Sequence, residues 1–194
     1  MKVTVDGRPV DVPAGASVLD ATRAAEATVT TLCHDDRLAP AGTCRVCLVR
    51  VDGGVVAACV TPATEGMAVQ TDDEETVDDA RRVVELTVER LPRAALDRSS
   101  ELADVCARLS IPPASFADVG RGLGSDSSHP YIELDRDLCI ACGRCVRMCD
   151  EVQGTFALTL VGRGADTVVD TGTGGAWLES ACVACGGCVD SCPT

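Results

Sequence analysis

Aromatic residues and lysine are the scarcest components of this 194-residue sequence. It has one Trp, one Tyr and two Phe, and Lys2 is its single lysine, while Asp and Glu together number 30 and the net charge is -13. Such an acidic chain is a poor match for nucleic acid or an anionic membrane surface, so neither is expected as a partner. With few large side chains, a small domain builds a thin core and often depends on bound metal for stability.

The sequence also has little that resembles a targeting signal or a catalytic motif. The first residues, MKVTVDGRPV, have no apolar h-region, and no apolar run approaches the length of a membrane span. There is no P-loop, no G-x-S-x-G and no convincing nucleophile-base pair. We therefore expect a soluble, cytoplasmic, reduced protein that is not inserted in a membrane and has no substrate-activating site of its own.

The sequence does have 13 cysteines, and most of them fall into three groups. The two C-terminal groups share the spacing C-x2-C-x2-C-x3-C and comprise Cys139, Cys142, Cys145, Cys149 and Cys182, Cys185, Cys188, Cys192. This is the pattern of two-cluster bacterial ferredoxins, in which the fourth cysteine of each run ligates the other cluster. It predicts two [4Fe-4S] clusters, one on Cys139, Cys142, Cys145 and Cys192, the other on Cys182, Cys185, Cys188 and Cys149. Gly143, Gly186 and Gly187 are expected to let these loops bend tightly around the cluster sulfurs.

Zinc and disulfides fit this spacing less well. Structural zinc is commonly held by two separated C-x2-C pairs, whereas here three cysteines are followed closely by a fourth. A disulfide framework is typical of small secreted chains with an even number of cysteines, and the count of 13 is odd. Iron-sulfur ligation is therefore the favoured interpretation.

The third group has the spacing C-x10-C-x2-C-x11-C and comprises Cys33, Cys44, Cys47 and Cys59. Its flanks predict a small β-grasp unit, with a hairpin of residues 3–6 and 9–12 and an amphipathic helix over 17–27 that has Asp20 at the capping-box position. Plant-type [2Fe-2S] ferredoxins use C-x4-C-x2-C and a distant fourth cysteine, so the first gap is longer here while the C-x2-C pair remains. We predict a [2Fe-2S] cluster on these four cysteines.

A helical connector is expected between the cysteine groups. Residues 73–91 place five apolar residues on one stripe at helical spacing: Val77, Ala80, Val84, Val88 and Leu91. The expected domains are 1–72, 73–128 and 129–194. The predicted fold class is α+β, with a β-grasp [2Fe-2S] ferredoxin domain, the connector, and a bacterial-type 2[4Fe-4S] ferredoxin domain that carries a hairpin insert with turns near 162–164 and 171–175.

This order of domains resembles an iron-sulfur module shared by several enzyme families. They are the large iron-sulfur subunit of NADH-quinone oxidoreductase, the diaphorase subunit of NAD-reducing hydrogenase, the N-terminus of iron-only hydrogenase and the N-terminus of NAD-dependent formate dehydrogenase α subunits. The long first gap of the [2Fe-2S] group is similar to the first of these. The sequences around Cys139, Cys149 and Gly162-Arg163-Gly164 look most like the formate dehydrogenase and iron-only hydrogenase versions, and we favour the formate dehydrogenase version.

The resemblance implies a non-catalytic electron-transfer subunit or module of a multi-subunit oxidoreductase. Its implied partners are a flavoprotein that oxidises NADH, near the [2Fe-2S] domain, and a catalytic subunit or domain with molybdenum, tungsten or nickel-iron, near the C-terminal clusters. A subunit of an NAD-linked hydrogenase or a complex I-like enzyme, a free polyferredoxin carrier and a cluster-based regulator are the alternatives. The residues leave open whether the chain is a complete subunit or the N-terminal module of a longer one.

The connector departs from the family pattern. Relatives usually have a His-x3-Cys-x2-Cys-x5-Cys segment there, which binds an additional [4Fe-4S] cluster. The aligned positions of this sequence are Leu91, Ala95, Arg98 and Ser100, in a shorter segment. Our hypothesis is that this cluster has been lost while its helical frame was kept. Cys106, the remaining cysteine, is then expected to be a buried apolar residue.

Overall fold

The computed structural model describes residues 1–194, which divide into two compact units. The first unit comprises Met1–His34, Pro40–Val84 and Val105–Ile111, and the second comprises Asp35–Ala39, Glu85–Asp104 and Pro112–Thr194. These units follow packing, whereas the domain limits expected from the sequence follow the cysteine groups. None of the helices is long and apolar enough to cross a membrane.

The first unit is built on a five-stranded mixed sheet with strand order β2-β1-β5-β3-β4. Its strands are β1 (Lys2–Val5), β2 (Arg8–Asp11), β3 (Leu48–Val51), β4 (Gly54–Ala57) and β5 (Ala68–Gln70). Strand β5 is parallel to β1 and antiparallel to β3, and the other pairs are antiparallel. The predicted hairpin is present one residue earlier than expected, because Asp6 and Gly7, with φ of 47° and 78°, form its turn.

Helix α1 (Val18–Ala24) begins where the sequence predicted. Asp20 N–H donates to Ser17 Oγ at 3.2 Å and Ser17 N–H donates to the Asp20 carboxylate at 2.7 Å, which confirms the capping box. The helix ends earlier than residue 27, since Glu26 has a left-handed φ of 58°. The core of this unit joins buried residues of helix and sheet, including Val18, Leu19, Ala21, Val3, Val5 and Val49.

The connector contains α2 (Glu74–Val88) and α3 (Glu101–Arg108). The chain passes between the two units within each of these helices. The expected stripe is largely correct: Val77 is half-buried, and the buried members are Ala80, Val84, Val88 and Leu91. Cys106 lies on α3 and is 2% exposed, as expected of a buried apolar residue.

The second unit has short elements joined by loops. They are β6 (Ser125–Asp126), β7 (Leu134–Asp135), α4 (Arg144–Arg147), β8 (Thr159–Val161), β9 (Val168–Asp170) and α5 (Gly187–Asp190). The β8-β9 hairpin is the expected insert between the cysteine groups. Its turn requires Gly162, whose φ is 82° and where an added Cβ would lie 2.3 Å from Asp166 O. Cysteines pack directly on the small core of this unit, whose buried members are Ile132, Leu134, Leu158, Val169 and Trp177.

Candidate metal centres

The four N-terminal cysteines are brought together in the first unit. Cys33 and Cys44 lie in the loop between α1 and β3, and Cys44 N–H donates to Cys33 Sγ at 3.4 Å. Cys47 immediately precedes β3, and Cys59 lies in a 3-10 turn after β4, so the β3-β4 hairpin places these two side by side. Arg45 adopts a left-handed φ of 56° between Cys44 and Cys47. Cys33, Cys47 and Cys59 are buried and Cys44 is half-buried.

Hydrogen bonds among these thiols shift their acidity. Donation from Cys44, and then from Cys59, holds the pKa of Cys33 well below its usual range, although burial opposes the shift. The same contacts with Cys33 raise the pKa of Cys44 and of Cys59, whereas a hydrogen bond from Cys59 lowers the pKa of Cys47 to about 7. The four sulfurs therefore form one mutually interacting set. Thiolate is the form that ligates iron, so the set suits a metal that removes the remaining protons.

The two C-terminal cysteine loops have the same backbone conformation. Ala141 and Ala184, at equivalent positions, have left-handed φ angles of 55° and 56°, and the following Gly143 and Gly186 have 74° and 77°. In each loop the alanine N–H donates to the sulfur of the first cysteine, at 3.3 Å in one and 3.4 Å in the other. Non-glycine residues rarely adopt positive φ, so two alanines with positive φ at equivalent positions indicate a backbone conformation that the surrounding structure imposes on both loops.

Each loop faces a cavity that also receives the fourth cysteine of the other group. One cavity is lined by Cys139, Cys142, Cys145 and Cys192. The other is lined by Cys149, Cys182, Cys185 and Cys188. The structure thus brings together the two crossed sets that the spacing predicts. Side chains such as Leu158 and Val169 border these spaces and form apolar walls.

The fourth cysteine of each group has its own hydrogen-bond partners. Cys149 Sγ lies 3.2 Å from Thr155 Oγ1 and accepts the Ala157 N–H at 3.2 Å. Cys192 Sγ lies 3.3 Å from Thr194 Oγ1. Donors to a ligating sulfur orient it and tune a bound metal.

The donor sets fit iron-sulfur clusters. Burial raises the pKa of Cys142 to about 12 and of Cys188 to about 11, so these thiols ionise near neutral pH only when a metal compensates the charge. No three or more His, Cys, Asp or Glu side chains converge on a point that would hold a single metal ion. Trp177 lines both the Cys149 cavity and a further cavity of about 340 Å³ beside it, and its buried Nε1 has no partner in the protein. An orphaned N–H donor beside cysteine sulfurs is what a cluster sulfur would satisfy.

Two of the four connector positions aligned with the additional cluster are buried apolar residues, whereas Arg98 is exposed and Ser100 is half-buried. Leu91 and Ala95 are buried, and Leu91 O accepts the Ala117 N–H at 2.9 Å. Ala95 belongs to a 3-10 turn over Arg93–Asp97. Apolar side chains therefore occupy the interior of this segment where relatives are expected to have ligands.

An ion-pair network of the second unit, with Arg144 and Asp35 buried at its centre, was not anticipated from the sequence. Arg144, inside the first C-terminal loop, donates to Glu101 at 2.6 Å and to Asp35 at 3.3 Å. Asp35 also pairs with Arg37 at 2.7 Å, and Arg37 reaches Asp190 at 2.5 Å. The side chains of Arg144 and Asp35 are 5% and 6% exposed. An arginine between two closely spaced cysteines is visible in the sequence, but no local pattern singles out Asp35.

Two other arginines near the same loop lack a carboxylate partner. Arg90 donates to Ala165 O at 3.2 Å and to Ile140 O at 3.4 Å, and Arg121 donates to Ala165 O and to Cys139 O. Burial, and then the nearby Arg121 charge, lower the pKa of Arg90. The two positive charges are thus held against main-chain carbonyl groups, among them those of Cys139 and Ile140.

Comparisons with known proteins match the two cysteine-rich regions of the chain. Residues 1–74 match the 2Fe-2S iron-sulfur cluster binding domain, and residues 129–194 match the ferredoxin-like domain of NADH-quinone oxidoreductase subunit 3. The chain is therefore an iron-sulfur protein with two different iron-sulfur domains, which confirms the module recognised in the sequence. The α+β class agrees with these two domains.

Curated relatives and a solved structure that resemble this chain are named as oxidoreductases that use NADH or NAD+. The chain is 34% identical over 179 residues to the mitochondrial NADH-ubiquinone oxidoreductase 78 kDa subunit of Candida albicans, covering 88% of this chain and 25% of that protein. It is 34% identical over 201 residues to an NADH-quinone oxidoreductase subunit of Rhizobium meliloti, covering 100% of this chain and 23% of that protein. A crystal structure of an NAD+-reducing [NiFe]-hydrogenase in the H2-reduced state matches with a TM-score of 0.82 and 26% identity, over 94% of this chain and 80% of the matched one.

The module is thus similar to parts of NADH-quinone oxidoreductases and of NAD+-reducing hydrogenase. The chain spans about a quarter of the length of the two curated relatives described above.

Proposed function

We propose that this chain is an iron-sulfur electron-transfer subunit or module of a multi-subunit, NADH-linked oxidoreductase. The observation that carries the proposal is the pair of cavities, each lined by three cysteines of one C-terminal group and the fourth of the other. When bound, iron-sulfur clusters would supply one-electron redox chemistry at these sites. The chain's own residues would hold the clusters and exclude water from them.

The proposed ligands are three sets of four cysteines. They are Cys33, Cys44, Cys47 and Cys59 for a [2Fe-2S] cluster, and the two crossed sets, with Cys192 and Cys149 as fourth ligands, for two [4Fe-4S] clusters. The N–H groups of Ala141 and Ala184 would orient the first cysteine of each C-terminal loop. We propose the domain limits 1–72, 73–128 and 129–194, with no cluster in the connector, because Leu91 and Ala95 are packed in its interior.

The proposed partners are a flavoprotein that oxidises NADH and a catalytic subunit or domain with a metal centre, in the cytoplasm. The relatives' names favour an NADH-quinone oxidoreductase or an NAD-reducing hydrogenase. A formate dehydrogenase-like complex, with molybdenum or tungsten, is a second candidate that rests on the local sequences around Cys139 and Cys149. A free polyferredoxin carrier is less favoured, because the matched relatives described above are named as subunits.

Iron and acid-labile sulfide content, with electron paramagnetic resonance (EPR) during stepwise reduction, tests the cluster inventory. One [2Fe-2S] and two [4Fe-4S] clusters give about ten iron atoms per chain. About fourteen would mean a fourth cluster and would overturn the assignment of the connector as cluster-free.

Single alanine variants test the crossed ligand sets. If Cys192 belongs with Cys142, the C192A and C142A chains lose the same cluster and give matching EPR spectra, while C185A gives a different one. Matching spectra for C192A and C185A would instead support uncrossed sets. Equal iron content in all three variants and the unchanged chain would contradict both.

Anaerobic purification of the tagged chain from its host tests the partners. We expect a flavoprotein and a metal-containing catalytic protein in the same complex, and NAD reduction by that complex with hydrogen or with formate separates the two candidates. A monomeric chain that copurifies with neither protein would contradict the subunit assignment and favour the free carrier.

A further inference from the structure

The indole of Trp177 is a buried donor beside the second C-terminal cysteine set. The residue is 3% exposed, and it lines both the cavity of Cys149, Cys182, Cys185 and Cys188 and the adjoining 340 Å³ cavity. Its Nε1 is buried and has no hydrogen-bond partner. Buried indole N–H groups usually find an acceptor. The missing acceptor therefore indicates that the acceptor is a group present only when the protein has its clusters bound.

The surroundings leave few candidates for that acceptor. Ile132 and Leu158 line both cavities with Trp177 and are apolar. The His129 ring lies tilted by 46° to the indole, with ring centroids 6.2 Å apart, but its Nδ1 already accepts the Tyr131 N–H at 3.2 Å. No protein atom, the cysteine sulfurs included, accepts a hydrogen bond from Nε1. What remains in the Cys149 cavity is the cluster that its four cysteines would hold.

We propose that Trp177 donates its indole N–H to a sulfur of the [4Fe-4S] cluster held by Cys149, Cys182, Cys185 and Cys188, and thereby raises the reduction potential of that cluster. The inference rests on the proposed ligand set. A hydrogen bond to a cluster sulfur stabilises the more negative, reduced state, since added charge accumulates on the acceptor. Trp177 is a tuning residue: it ligates no iron but sets the electron affinity of the site beside it.

The first test removes the donor and keeps an aromatic ring. W177F in the full chain, loaded anaerobically, is expected to lower the midpoint potential of one [4Fe-4S] cluster. The expected shift is about 59 mV, the equivalent of a tenfold change in the one-electron equilibrium. I132V is the matched control, because Ile132 lines the same two cavities without carrying a donor. A W177F shift no larger than that of I132V, with iron content unchanged in both, overturns the proposal.

A second test needs no variant. Trp177 is the single Trp of the chain, so 15N-indole labelling marks one nitrogen. Pulsed EPR of the reduced [4Fe-4S] centres is expected to show coupling to that 15N, which distinguishes the indole from the Ala157 and Ala184 N–H groups that also lie on sulfurs of this set. Intact cluster signals without the 15N coupling refute the hydrogen bond and indicate water as the acceptor. Absence of the [4Fe-4S] signals themselves would instead refute the proposed function, so the two failures are distinguishable.

Discussion

Removing the Arg144 guanidinium is expected to destabilise the second unit strongly. Arg144 and Asp35, which are 109 positions apart in the sequence, meet with side chains only 5% and 6% exposed. The variant R144M keeps an unbranched apolar stem at this position but leaves Asp35 and Glu101 without this cation. The test therefore isolates the charge from the packing.

The magnitude follows from what remains around Asp35. Breaking a buried pair by removing one partner costs about 3–5 kcal/mol. Asp35 keeps its contact with Arg37, whose side chain is 46% exposed, so the low end, about 3 kcal/mol, is expected. For a chain of this size, 1 kcal/mol corresponds to about 2–4 °C, so the melting temperature is expected to fall by roughly 6–12 °C.

The assay is anaerobic thermal unfolding of the cluster-loaded chain, followed by circular dichroism and cluster absorbance. R93M is the matched control, because Arg93 and its partner Asp118 are 54% and 89% exposed and such pairs contribute at most about 1 kcal/mol. The double variant D35N/R144M is expected to lose less than the sum of the two single changes, since neither charge is then left alone. An R144M melting temperature equal to that of R93M would refute this account of the network.

The loss of stability in R144M is expected to be independent of pH near neutrality. Hydrogen bonds from Arg37, and more weakly from Arg144, hold the pKa of Asp35 well below its usual range, against the effect of burial. A carboxyl with a lowered folded pKa contributes stability that is present above its unfolded value of about 3.9 and is lost as the pH falls through the folded value. The difference between R144M and the unchanged chain is therefore expected to be constant from about pH 5 to 8. A difference that shrinks across that range would mean that Asp35 is not ionised as described.

Three further predictions concern the cysteines and the unpaired cations. Burial raises the pKa of Cys106 to about 11, so this thiol is expected to resist iodoacetamide at pH 8 and C106A to keep its full iron content; loss of a cluster in C106A would make it a ligand. The variant R90Q/R121Q is expected to lower the midpoint potential of the cluster near Cys139 by on the order of 50 mV, since 59 mV is a tenfold one-electron change; a shift in the other [4Fe-4S] cluster alone would contradict this. Because cysteines pack directly against the small core of the second unit, destroying the clusters anaerobically is expected to unfold it; unchanged circular dichroism would show that it folds without them.

Features that depend on residues close together in the sequence could be predicted from it. The capping box of Ser17 and Asp20 fixed the start of α1, and the cysteine spacing predicted which sulfurs line each C-terminal cavity. Strand and helix limits moved where single residues adopt left-handed φ, as at Asp6 and Glu26. Residue type gives no signal for this conformation at Glu26, whereas the Asp6-Gly7 pair is itself a favoured hairpin-turn sequence.

Long-range polar contacts were beyond prediction for a different reason. The partners of Arg144 lie 43 and 109 positions away, and an arginine on a short helix is compatible with solvent as well as with burial. The missing acceptor of Trp177 Nε1 is likewise a property of the packed core and the cavities. Sequence spacing predicts which cysteines lie together, whereas the polar groups around them depend on packing.

The two C-terminal loops are alike in backbone and unlike in charge, and this difference indicates unequal potentials. Gly143 is followed by Arg144 in the first loop, where the second has Gly186 and Gly187. Arg144 is neutralised by its carboxylate partners, but the Arg90 and Arg121 charges beside Cys139 are not. A full positive charge favours the reduced cluster more than one neutral N–H donor does, because its field is longer in range. We therefore expect the cluster of the Cys139 loop to be reduced first, and an EPR titration in which the Cys182 loop is reduced first would contradict that order.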